Sequence, residues 1–145
     1  MSYLLDSNTI IYASKSDGSA IRDWINKHHT EGYVAEISLA EVRNWPKLAK
    51  TEIRQEALLI EALLDSFTVL KLDPVGVVIS DLLRTKVNLK NADAIIAATA
   101  LRYDLYLVTA NTKDFEKHSL RDLYQINCTH NICCTLLNYV LKMQA

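Results

Sequence analysis

Four acidic residues in this chain stand in short apolar contexts rich in small polar side chains. They are Asp6 in LLDSNT, Glu41 in ISLAEV, Asp93 in KNADAIIAATA and Asp114 in LVTANTKDF. If a fold gathers them, four carboxylates repel one another unless they are protonated or bridged by cations. Hard oxygen donors of this kind suit Mg²⁺ or Mn²⁺, with waters completing an octahedron. One or two such ions can activate a water and stabilise the leaving oxygen of a phosphodiester. Lys90, Lys113 and Arg43 lie near these acids in sequence and are candidates to meet phosphate oxygens. For any single one of these bases, a solvated surface charge is the ordinary role.

Each acid also has a purely structural explanation. Ser38-x-x-Glu41 has the form of a capping box, in which Ser and Glu satisfy free helix N–H groups. Asp93 follows a possible Asn91 cap by two positions and would be stabilised by the helix dipole. Asn111-x-x-Asp114 has cap spacing, and Asp6 is placed to cap the first helix. It is the conjunction of four acids that argues for chemistry.

The elements that must position these residues follow from hydrophobic periodicity. Residues 3–5, 33–37, 67–72 and 105–108 read as strands, and 124–126 as a candidate fifth. Helical patterns cover 7–14, 20–29, 38–44, 51–66, 75–86 and 92–103, with Pro74 suited to a first helical turn. Alternating strands and helices imply an α/β chain with a parallel sheet covered on both faces. Ligands of such sheets bind outside the carboxyl ends of the strands. Asp6, the Ser38–Glu41 stretch and the Thr109–Asp114 stretch follow strands, and Asp93 opens the helix that feeds the fourth strand.

The bulk composition is consistent with this. The chain has 145 residues, 50% hydrophobic and 23% charged, which is one ordinary globular domain. A net charge of −1 does not mark a strongly basic nucleic-acid binder, but it does not exclude a nucleic-acid partner, since an acidic site can mask a basic rim in the sum. Asp6 interrupts the N-terminal apolar run and no basic segment precedes it, which argues against a secretory signal. No apolar stretch has transmembrane length. Three cysteines crowded near one end fit a reducing, cytoplasmic setting.

Asp6-Ser-Asn8, Ser38-Leu-Ala-Glu41, Asn-Ala-Asp93-Ala-Ile-Ile-Ala-Ala-Thr-Ala and Thr109-Ala-Asn111-Thr-Lys-Asp114-Phe resemble the ordered motifs of the PIN-domain ribonucleases. Within that family they look most like the VapC-like toxins of toxin–antitoxin pairs. The resemblance spans residues 3 to about 127. It implies an α/β/α sandwich with a central parallel sheet of four to five strands. It implies Mg²⁺- or Mn²⁺-dependent endoribonuclease activity, an RNA substrate, a cognate antitoxin and a homodimer, with no membrane association. Asp6, Glu41, Asp93 and Asp114 would be the catalytic and metal-binding acids, with Asp6 and Asp93 the principal ligands. Asn8, Ser38, Thr109 and Asn111 would orient the acids or the metal-bound water.

Residues 1–127 are thus expected to form the nuclease domain and 128–145 a C-terminal extension, helical in pattern. Cys128, His130, Cys133 and Cys134 in that extension match zinc-finger spacing poorly. Among the aromatics, Trp24 and Tyr103 read as core residues and Trp45 as an exposed contact for RNA or antitoxin.

Other strand–Asp chemistries fail on particular residues. A haloacid-dehalogenase-type phosphatase needs an acid where Asn8 stands, and a receiver domain needs an acidic pair at the first strand. The alternative that differs in kind is a catalytically weak PIN-like module that binds RNA or an antitoxin; the presence of all four acids argues against it.

Overall fold

The structure is a computed structural model that describes residues 2–15, 19–45, 54–109 and 115. Four strands form its sheet: β1 (Tyr3–Leu5), β2 (Gly32–Ala35), β3 (Thr68–Leu70) and β4 (Tyr106–Val108). Helices α1 (Ser7–Ser14), α2 (Ser19–His28), α3 (Glu36–Arg43), α4 (Arg54–Asp65), α5 (Pro74–Lys86) and α6 (Asn91–Arg102) connect them, with a short 3₁₀ turn at His29–Glu31. The strand order is β3-β2-β1-β4 and every pairing is parallel. Leu4 lies opposite Tyr33 on one side and Leu107 on the other.

The period of two along each strand divides the interior into two cores. Leu4, Ala35 and Leu107 join Leu83, Val87 and the Ala-rich face of α6. Tyr3, Leu5, Val34 and Val108 join Ile10, Ile25, Ile60 and Leu64 from α1, α2 and α4. Helices therefore cover both faces of a parallel sheet, an α/β/α sandwich. The expected fifth strand at 124–126 and the 128–145 extension, with its cysteines and His130, lie outside the described residues.

The second strand is shorter than its apolar run. It ends at Ala35, and α3 begins at Glu36 with Ala35 as a cap that makes no side-chain hydrogen bond. Ile37, expected to end the strand, is half-buried in the first turn of α3, packed against the α6 core. The capping-box reading of Ser38 and Glu41 is thereby overturned, because both lie inside the helix. Likewise Lys90, not Asn91, occupies the cap position of α6, which places Asp93 in its first turn. Asn88, with φ 60°, turns the chain between α5 and α6, a left-handed conformation that Asn tolerates better than most residues.

Two aromatic expectations are also corrected. Trp45 is half-buried against the core of α1, α2 and α4. Tyr103 is 38% exposed and its hydroxyl donates to the Lys71 carbonyl at 2.8 Å. Trp24 packs as expected, edge-on to Tyr3 with ring centroids 5.0 Å apart. Among the described residues no helix is long and apolar enough to cross a membrane.

Candidate active site

The site begins where β1 stops. The Asp6 N–H donates to the Val108 carbonyl at 3.2 Å, which extends the β1–β4 ladder by one bond. The backbone is still extended there (φ −83°, ψ 166°), and the side chain caps α1 by accepting the Thr9 N–H on Oδ1 at 2.8 Å. Oδ2 accepts the hydroxyl of Thr109, the first residue beyond β4. Thr9 locks the other side of this corner, its hydroxyl donating to the Val108 carbonyl at 3.3 Å. Thr9 and Thr109 are fully buried and Asp6 is 4% exposed.

Burial of a carboxylate is costly unless its charge is compensated. Here the compensation consists of one peptide N–H, one hydroxyl and the N-terminal end of a short helix, and no described cation is paired with Asp6. Such a group keeps lone pairs for a hard cation, and a divalent ion would balance its charge.

A second carboxylate is held beside the first turn of α1. Ser7, immediately after Asp6, donates its hydroxyl to Glu41 Oε2 at 3.1 Å. Glu41 itself is exposed, near the end of α3. One turn earlier on α3, Ser38 is fully buried, and its Oγ has no hydrogen-bond partner among the described residues. Asp93 is half-buried in the first turn of α6, a helix that packs against α3. Asn8 is exposed in the first turn of α1.

The structure thus brings together Asp6 and Thr109, and links Glu41 to the residue next to Asp6. Among the described residues no three His, Cys, Asp or Glu side chains form a ready metal cage. Asn111, Lys113 and Asp114 lie outside the described residues. Arg43 and Lys90 are exposed. Ser7 and Thr9 are the site residues that sequence reasoning missed. The Asp6-x-x-Thr9 spacing was the available signal for Thr9, since an Asp cap engages the backbone three residues on.

Residues 3–119 match the family model of the PIN domain. The chain belongs to the PIN domain family. Ribonuclease VapC1 of Rickettsia felis is 28% identical to this PIN-domain chain over 127 residues, covering 81% of this chain and 90% of that protein. A solved toxin–antitoxin complex from Klebsiella pneumoniae contains a chain 30% identical to it, with a TM-score of 0.62, covering 79% of this chain and 90% of that one. DNA-bound VapBC from Salmonella typhimurium shares the fold at 22% identity and a TM-score of 0.68, covering 80% of this chain and 91% of that one.

Proposed function

We propose that this PIN-domain protein is a metal-dependent endoribonuclease and the toxin of a toxin–antitoxin pair. The observation that carries the reading is the buried Asp6 carboxylate, compensated among the described residues by neutral donors, at the carboxyl end of a parallel strand. Kinship with a protein named ribonuclease VapC1 and with solved toxin–antitoxin complexes supports the substrate and the partner. We further propose a homodimer acting in the cytoplasm, where its RNA substrates are.

Asp6, Glu41, Asp93 and Asp114 would hold Mg²⁺ or Mn²⁺. The ion would supply charge neutralisation at the phosphate and a lowered pKa for water. The chain's own residues do the positioning. Thr9 N–H and the Thr109 hydroxyl fix both Asp6 oxygens, so that carboxylate meets its ligand without rotamer search. Ser38 offers a buried hydroxyl one turn before Glu41. Asn8 and Asn111 are assigned to orienting the substrate or water. Hydrolysis in which water attacks the phosphorus and the 3′-oxygen leaves gives a 5′-phosphate and a 3′-hydroxyl, and does not require the RNA 2′-hydroxyl.

Purified full-length protein with Mn²⁺ should cut single-stranded RNA to 5′-phosphate products, and also a substrate with a single 2′-deoxy substitution at the cleavage site. Cleavage only with an intact 2′-hydroxyl there, or cleavage unaffected by a chelator, overturns the mechanism. RNA binding without cleavage under any divalent metal would instead support the binding-module alternative.

A further inference from the structure

We infer that Ser7 is a positioning residue that presents the Glu41 carboxylate to a divalent cation. The inference rests on the metal-dependent reading above and goes beyond it by assigning a residue outside the four acids and their expected polar companions.

Ser7 is 5% exposed, and its hydroxyl spans 34 positions of sequence to reach Glu41 Oε2 at 3.1 Å. A serine in the first turn of a helix commonly spends its hydroxyl on nearby backbone. This one bridges two packed helices, α1 and α3, to an exposed acid. Glu41 carries a long side chain with several rotatable bonds, and ordering such a chain costs entropy. A hydrogen bond to Oε2 removes part of that cost before any ligand arrives and leaves the second oxygen for a cation.

The support under Ser7 is itself fixed. Asp6, one residue earlier, is tied to the Val108 carbonyl through its N–H and to Thr9 and Thr109 through its carboxylate. The first turn of α1 therefore holds one carboxylate through a peptide N–H and the other through a side-chain hydroxyl. That couples the position of Glu41 to the strand end that carries Asp6.

The test measures Mn²⁺ binding by the full chain without RNA, following the electron paramagnetic resonance signal of free Mn²⁺. Ser7→Ala should weaken binding about tenfold, the scale of losing a group that orients a ligand. Ser7→Thr, which keeps the hydroxyl, should bind near the wild-type level. In a Glu41→Gln background, Ser7→Ala should cause no further loss, because the two changes act on one contact. Equal binding by wild type and Ser7→Ala overturns the inference alone, as does a full-sized further loss in the Glu41→Gln background. No Mn²⁺ binding by the wild type overturns the metal-dependent reading and the inference with it. Thermal melts establish folding, and if Ser7→Ala does not fold, Ser7→Cys carries the comparison with a much weaker donor.

Discussion

Asp6 and Asp73 cap their helices in the same way and differ in what the second carboxylate oxygen meets. Asp6 has φ −83° and ψ 166°, Asp73 has φ −80° and ψ 172°, and each accepts the N–H three residues on at 2.8 Å. The second oxygen of Asp6 takes a neutral hydroxyl in the interior. The second oxygen of Asp73 takes the Arg102 guanidinium, with both Nε and Nη2 at 2.8 Å, at the protein surface. Capping alone therefore accounts for neither residue. Asp73 has its cation within the chain and is complete as a structural brace. Asp6 is buried with no cation partner among the described residues, which suits a metal-site carboxylate.

The sharpest way to break this contrast is to neutralise each carboxylate. Asn caps a helix about as well as Asp, so Asp→Asn removes charge while keeping the cap. Asp6→Asn should lower RNA cleavage by more than about 100-fold, beyond the loss typical of a supporting residue. It should melt no lower than wild type, because a buried charge is removed. Asp73→Asn should cleave RNA like wild type. Equal cleavage by Asp6→Asn and wild type would remove Asp6 from the proposed site.

Thr109→Val tests the second oxygen directly. It keeps the buried shape and deletes the hydroxyl that meets Asp6 Oδ2. Cleavage should fall by about 10–100-fold, since Asp6 keeps its Thr9 bond but loses one of two anchors. A loss as large as that of Asp6→Asn would mean that Thr109 does more than orient.

How much of this contrast was legible in sequence depends on the range of the contact. Asp6 stood out because a carboxylate interrupts an apolar run, and Pro74 marked the helix behind Asp73. The strand–helix alternation gave the layers and the parallel sheet. The end of β2 was not legible, because the β-branched Ile37, two places after Ala35, fits the alternation of a strand as well as the first turn of a helix. Only its packing against α6 decides. The partners of the second oxygens were also out of reach, since Thr109 lies 103 positions from Asp6 and Arg102 lies 29 from Asp73. The same holds for Ser7 and Glu41. A residue type can announce a cap, but tertiary packing chooses what completes it.

Gly76→Ala probes the Asp73 side without touching a charge. A Cβ at Gly76 would lie 2.4 Å from Leu72 Cδ1 and 2.9 Å from Leu72 Cγ, so Leu72 must move, and Asp73 is its neighbour. Overpacking of this kind costs about 1–3 kcal/mol, against which the helix gains about 1 kcal/mol from replacing Gly. A net loss of stability is expected in denaturant melts, with cleavage per folded molecule unchanged. A gain in stability would show that Leu72 repacks freely.

The smallest effect is the pH dependence of the Asp73 brace. The Gly76 N–H, foremost, holds the Asp73 carboxyl below its ordinary value of 3.8; desolvation opposes it, and the hydrogen bond and charge of Arg102 add to the lowering. As pH falls through that value the unfolded chain takes up the proton before the folded one does, so stability declines. The contribution of charged Asp73 is full above 3.8 and is lost as pH falls through the lower folded-state value. Asn cannot titrate. The melting temperatures of wild type and Asp73→Asn should differ most near neutral pH, with wild type higher, and converge as pH falls below 3.8. Exposure to solvent keeps the difference small, and added salt should shrink it further. An Asp73→Asn deficit that persists undiminished in acid would mean that the carboxylate works through shape rather than charge, and the contrast with Asp6 would then rest on burial alone.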